Sequence, residues 1–346
     1  MRNQDASLSR RALLRGALTG GAGAVVLGAL AACDPSGPDS VTVTRDPSWS
    51  PSGTAAGTHA IPPELETIPQ DYWSPAQRRG TLVQVDYDTY ESTTYEQQTQ
   101  PLTKRAIVYL PYGYTEEAAY DVFYLMHGGW GDETTTLGTP YDPSPFTNVL
   151  DNAIAAGQIA PLIVVCPTYN NTSPEDSASF SLALTLTENY HHELLGDLVP
   201  AVESRYSTHA EDVSPGALAA SRDHRGFGGF SMGAVATWRT FQHGLDTFRS
   251  FLPISCGTSL DMDRVLAAAA GRDPGDFFVW VITGTEDFAR PFDEDRVGLM
   301  RRSTAFVEAD DEREGNFAFR VKDGYAHDGA AATEYTYNGL RWFSGA

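Results

Sequence analysis

The sequence predicts an α/β domain, and three observations carry that prediction. From Glu66 onward, strand-like and helix-like stretches alternate over roughly 280 residues, the pattern of a parallel sheet with crossover helices. Two of the strand-like stretches, Asp121–Met126 and Pro161–Cys166, are continuous apolar runs, as expected of strands buried on both faces. A third, Arg225–Phe230, breaks abruptly into Gly229-Phe230-Ser231-Met232-Gly233 and then into a helix-compatible run, Ala234–Phe241.

The first 33 residues are read as an address and set aside before the fold is considered. Arg10 and Arg11 precede a Gly- and Ala-rich stretch, Ala17–Ala32, that carries no charge. Paired arginines ahead of a weakly apolar core suit twin-arginine export. Leu30-Ala31-Ala32-Cys33 then resembles a bacterial lipobox, with Cys33 the residue that takes the lipid. The run is too weakly apolar for a membrane span, which needs roughly 20 strongly apolar residues. The expected location is therefore outside the cytoplasm, anchored in the membrane through Cys33. Residues 34–65, rich in Pro, Ser, Gly and Thr, read as a flexible linker. Residues 66–346 are the expected catalytic body.

Within the body the elements follow in order. Gly80–Tyr87 alternates like an early strand, and Lys104–Leu110 is a second, ended by Pro111. Asp121–Met126 stops at His127-Gly128-Gly129, and Phe146–Gly157 suits a helix. Pro161–Cys166 is the next strand, followed by an amphipathic candidate at Leu194–Tyr206. Phe248–Ser255, Phe277–Thr283 and Phe317–Val321 complete the strands. The composition is that of a globular protein, 41% hydrophobic and 20% charged. The net charge is −21, and Lys104 and Lys322 are the only lysines. Cleavage before Cys33 would remove four Arg and one Asp, taking the charge to −24. So acidic a chain repels phosphate backbones, which argues against nucleic acid as a partner. Three cysteines are too few for a disulfide scaffold.

The chemistry centres on Ser231. Gly-x-Ser-x-Gly in a strand–turn–helix setting places a serine at a strained apex, with glycines where a Cβ would collide. A serine nucleophile needs N–H donors for the developing oxyanion. Met232, next in sequence, supplies one, and the loop His127–Gly131 is placed to supply another. The base should be a histidine late in the chain, since sheets of this kind run Ser, then acid, then His. His327, in a polar loop after Phe317–Val321, fits; His243 falls on the helix after Ser231. His127 reads as structural, and His191 and His192 as helix residues, solvated or packed, with no matching pair of metal ligands. The acid should follow the strand Phe277–Thr283. Asp287 is the first choice, with Glu286, Asp293 and Asp295 as competitors.

Taken together, these residues resemble the esterases of carbohydrate esterase family 1, which includes feruloyl and acetyl xylan esterases and is related to esterase D. The resemblance runs from about Gly80 to the C-terminus. It rests on Val108–Tyr114, Tyr124–Gly129, the Ser231 turn, Gly284–Asp287 and the His327 loop. It implies an α/β-hydrolase fold, a Ser231–His327–Asp287 triad, and oxyanion donors at Met232 and Gly129. It also implies a polysaccharide-linked ester as substrate, with no metal or cofactor. Ala234 and Trp130 depart from the usual pattern, and Trp130 lies where it would reshape the acyl pocket. Tyr169 and Asn170 are candidate substrate contacts, a plain surface loop being the alternative. Cys166 and Cys256 end strands that would not be neighbours, so both are expected as free thiols. Two other readings stay open: acyl transfer or siderophore-ester hydrolysis on the same fold, and a non-catalytic surface-binding lipoprotein.

Overall fold

The computed structural model describes residues 60–345. The expected signal segment, Cys33 and residues 34–59 of the expected linker lie outside the described residues. Eight strands form one sheet: β1 (Thr81–Tyr90), β2 (Pro101–Leu110), β3 (Val122–Met126), β4 (Ile163–Cys166), β5 (Arg225–Phe230), β6 (Ser250–Ile254), β7 (Phe278–Gly284) and β8 (Phe317–Lys322). Their order across the sheet is β1-β2-β4-β3-β5-β6-β7-β8. The β1–β2 and β2–β4 pairs are antiparallel, and every later pair is parallel. This is the mostly parallel, helix-flanked sheet of the α/β-hydrolase type.

Both faces of the central strands are covered, which is why β3 and β4 read as unbroken apolar runs. Val122, Tyr124 and Met126 face one core, and Phe123 and Leu125 face the other. The longer helices are α1 (Pro145–Ala155), α2 (Phe180–Glu193), α3 (Met232–Gly244), α4 (Met262–Ala269), α5 (Arg290–Met300) and α6 (Gly329–Ser344). The first core packs against α2, α3, α4 and α5, and the second against α1 and α6.

Two expectations need correction. The helix expected at Leu194–Tyr206 begins fourteen residues earlier, as α2, and continues through a wide π turn at Leu194–Leu198 into a short helix, Val199–Glu203. Pro200 explains the wide turn: it offers no N–H, and its ring would strike the carbonyl four residues back in a regular helix. The linker, expected to run to residue 65, is already packed onto the body at residue 60. Ile61 is buried and donates its N–H to Asp310 O at 2.7 Å. Arg320 Nε donates to Pro62 O at 2.8 Å, and Lys322 Nζ to Leu65 O at 3.0 Å. Cys166 and Cys256 are buried and free, as expected.

Candidate active site

The parallel strands deliver their C-terminal ends to one edge of the sheet, and the site assembles there. At the end of β5 the chain reverses into α3 with Ser231 at the apex, at φ 59° and ψ −113°. A non-glycine residue with positive φ is strained, and such strain persists only where its surroundings enforce it. Two features enforce it here. Ser231 N–H donates to Ile254 O at 2.9 Å. The flanking glycines lie against the backbone of the neighbouring strand: a Cβ on Gly229 would fall 2.5 Å from Met126 O, and one on Gly233 2.4 Å from the same oxygen. Any side chain at either position would push α3 off β3.

Ser231, His327 and Asp287 converge from three separate loops. Ser231 Oγ donates to His327 Nε2 at 2.9 Å, and His327 Nδ1 donates to Asp287 Oδ1 at 2.8 Å. Asp287, after β7, also accepts the Ala289 N–H at 2.7 Å. Burial alone would raise the Asp287 pKa. Hydrogen bonds from His327 and the Ala289 N–H, with the Ser255 hydroxyl close by, outweigh it and hold the carboxyl below its ordinary value. Asp287 Oδ2 and Ser255 Oγ are both buried without a well-formed hydrogen bond, so a small rotation of that hydroxyl would satisfy both. Of the competing acids, Asp293 is buried against Arg296 at 2.8 Å, and its pKa is pushed up to about 7, chiefly by burial. Neither Glu286 nor Asp295 has a hydrogen bond to His327.

The loop after β3 lies against this apex. A Cβ on Gly128 would be 3.5 Å from Ser231 Cβ. Gly128 O accepts from His127 Nδ1 at 2.7 Å and from Tyr169 Oη at 3.0 Å. Because a trans peptide is planar with C=O and N–H opposed, fixing this carbonyl turns the Gly129 N–H the other way. The next N–H, of Trp130, donates to Ser177 O at 3.0 Å. Gly131 O is held by Ser177 Oγ at 2.7 Å and by Asn170 Nδ2 at 3.0 Å. Met232 is the first residue of α3, so its N–H has no intrahelical acceptor and sits at the positive end of the helix dipole.

A serine, an imidazole and a buried carboxylate in hydrogen-bonded series, beside fixed N–H donors, form the apparatus of acyl transfer. Residues 102–290, more than half the chain, match the model of the Esterase family, described as "Putative esterase". The chain belongs to this esterase family. It is 34% identical over 288 residues to endo-1,4-beta-xylanase Y of Acetivibrio thermocellus, covering 81% of this chain and 24% of that protein. It is 28% identical over 179 residues to an endo-1,4-beta-xylanase/feruloyl esterase of Xylanibacter ruminicola, covering 50% of this chain and 22% of that one. The chain thus spans less than a quarter of the length of these relatives. Among solved structures, it is similar to a mutant of the feruloyl esterase module from Clostridium thermocellum complexed with sinapinate. That likeness has a TM-score of 0.68 at 31% identity and covers 83% of this chain and 95% of the other. The chain is a feruloyl esterase-like carboxylic ester hydrolase.

The esterase places its two expected substrate contacts differently. Trp130 is 81% exposed at φ 59°, its indole held out to solvent on the loop after β3. Tyr169, expected to touch substrate, is 1% exposed with its ring against His127. It acts from below the surface, on the Gly128 carbonyl. Asn170 is likewise buried and braces Gly131. Sequence reasoning missed Phe230 and Phe288, whose rings lie 4.4 and 4.3 Å from the His327 ring. Their adjacency to Ser231 and Asp287 was the available signal. Phe288 is 61% exposed, so it offers an apolar surface at the mouth of the site.

His127 is the structural residue expected of it. Thr168 Oγ1 donates to Nε2 at 2.7 Å, and burial drives the pKa down to about 4. The folded esterase therefore refuses a proton that the unfolded chain accepts near pH 6.5. Stability is unaffected above that pH and falls as pH drops from about 6.5 to about 4, by about 3 kcal/mol in all. In denaturant titrations across this window, His127→Gln should show a slope against pH shallower by one proton. An unchanged slope would mean that His127 is protonated in the fold.

Proposed function

We propose that the chain is an exported serine esterase that removes feruloyl groups from plant cell-wall polysaccharide through an acyl-enzyme on Ser231. The observation that carries this reading is the Ser231–His327–Asp287 series at 2.9 and 2.8 Å. His327 takes the Ser231 proton as Oγ attacks the ester carbonyl. Asp287 stabilises the imidazolium, and the N–H groups of Met232 and Gly129 receive the oxyanion. The imidazolium then protonates the departing sugar oxygen, and water, deprotonated by His327, releases the acid. The aromatic acyl group is favoured over acetyl by the apolar surfaces of Trp130 and Phe288 at the site, and by the sinapinate and xylanase associations of the similar proteins.

The paired arginines and Cys33 support export by the twin-arginine route and a lipid anchor on Cys33. A Pro/Ser/Gly/Thr-rich tether ahead of residue 60 would hold the esterase off the membrane. One experiment reads both parts. Methyl ferulate hydrolysis is measured beside aryl acetate hydrolysis in membrane and soluble fractions of a bacterial host expressing the wild type or Cys33→Ala. The expected result is ferulate release in the membrane fraction that moves to the soluble fraction in the variant. Aryl acetate cleavage without ferulate release would overturn the acyl assignment, and soluble activity in both strains would overturn the anchor.

A further inference from the structure

At the opposite edge of the sheet from Ser231, three side chains converge on a point that the ester chemistry does not use. Asp121 immediately precedes β3. His224 ends the one-turn helix before β5, and His209 lies on the loop between the short helices Val199–Glu203 and Pro215–Ala220. His224 Nδ1 lies 2.6 Å and His209 Nε2 3.2 Å from the same Asp121 oxygen. The two imidazoles are stacked with centroids 3.4 Å apart and planes 7° from parallel. One ligand atom from each of the three residues lies within 4.8 Å of the others.

The shared Asp121 oxygen gathers the two rings into this stack. Tetrahedral zinc with ligand bonds of about 2.0 Å separates its ligand atoms by about 3.3 Å, a spacing near those of this cluster. A turn of one imidazole about its Cβ–Cγ bond, out of the stack, would aim both ring nitrogens at one ion. Two imidazoles and one carboxylate suit zinc-class ions better than magnesium or calcium, which prefer oxygen alone. The backbone that carries the donors is held in advance. Tyr120 donates its N–H to Ser207 O at 3.3 Å, and Ala210 donates its N–H to Thr208 Oγ1 at 3.2 Å. Thr208 Oγ1 donates in turn to Glu203, which is locked to Arg225 by contacts of 2.6 and 2.7 Å. The three side chains are 13–22% exposed, which leaves an approach for the ion and room for a water as fourth ligand.

We propose that Asp121, His209 and His224 bind one zinc-class divalent cation that pins the loop carrying His209 to the starts of β3 and β5. These strands carry the oxyanion loop and Ser231 at their far ends, roughly 20 Å away at ~3.3 Å per residue. The cation is therefore structural and takes no part in ester cleavage. The test uses the full chain, stripped with chelator and then dialysed against zinc chloride. Wild type should hold one more equivalent of zinc than His209→Gln/His224→Gln, and should show a visible cobalt(II) band that the variant lacks. Zinc should raise the Tm of wild type by a few degrees and leave that of the variant unmoved. Ester turnover should agree within about twofold between the two, showing that the variant has folded. Should the double variant fail to fold, Asp121→Asn, which keeps the side-chain shape, replaces it in the same comparison. Equal zinc content in wild type and variant, whether none or several equivalents, overturns the proposal.

Discussion

Replacing Ser231 by alanine is expected to lower kcat by about 10⁶ while leaving the fold and product affinity intact. The substitution deletes only Oγ, the atom 2.9 Å from His327 Nε2. Alanine tolerates the φ of 59° no worse than serine, since both carry a Cβ. The strain of the turn is set by Gly229, Gly233 and the Ser231 N–H, and none of these changes. Without a nucleophile the site retains its N–H donors and its acyl surface. Residual hydrolysis should then run through direct attack by water, at roughly 10³–10⁴ over the uncatalysed rate. The check is twofold. A fluorophosphonate probe should label wild type and not Ser231→Ala, and ferulate should bind both with the same Kd. A variant that still takes the label, or that keeps more than about a thousandth of wild-type kcat, would place the nucleophile elsewhere.

The parts of this esterase that were legible in its sequence share a physical cause. β3, β4 and β7 are buried on both faces, so their burial is written as unbroken apolar runs. The Ser231 turn was legible because close backbone approach excludes every residue but glycine at positions 229 and 233, leaving a spaced signature. The order Ser, acid, His then narrowed the later loops to His327 and Asp287, which the structure places in hydrogen-bonded series. What failed to show follows from the same reasoning. Helix α2 buries only Ala183, Leu186, Thr187, Tyr190 and Glu193, so its inner face is half polar and gives no clear period. The stretch that did look helical, from Leu194, contains Pro200, whose effect on the preceding turn depends on three-dimensional context. Residues 60–65 look like tether because only Ile61 and Leu65 are large and apolar, split by two prolines and a glutamate. Tyr169 could not be sorted between surface and interior, because its phenol finds its acceptor in the backbone of a loop forty residues away.

Removal of the Asp287 carboxylate is expected to cost about 10⁴ in kcat for Asp287→Ala, and one to two powers of ten less for Asp287→Asn. The difference follows from how Oδ1 is shared. It accepts from both His327 Nδ1 and the Ala289 N–H, at 2.8 and 2.7 Å, so in the amide only the carbonyl oxygen can occupy that place. The NH₂ group then faces the Oδ2 side, where Ser255 Oγ lies without a well-formed partner and can accept from it. Asparagine therefore keeps His327 in the tautomer that presents a bare Nε2 to Ser231, and gives up only the charge that stabilises the imidazolium. Alanine gives up both, and leaves the Ala289 N–H and the imidazole unanchored. Because native interactions hold the Asp287 carboxyl below its ordinary pKa, ionisation of this group adds stability above the carboxylate range. That stability is lost as pH falls through the folded value. Both variants should consequently lose less stability than wild type on acidification below about pH 4. Single-turnover acylation with methyl ferulate, run for the three proteins side by side, separates the two contributions. Equal losses for asparagine and alanine would show that the charge alone matters, or that the amide turns its nitrogen toward His327 and reverses the tautomer.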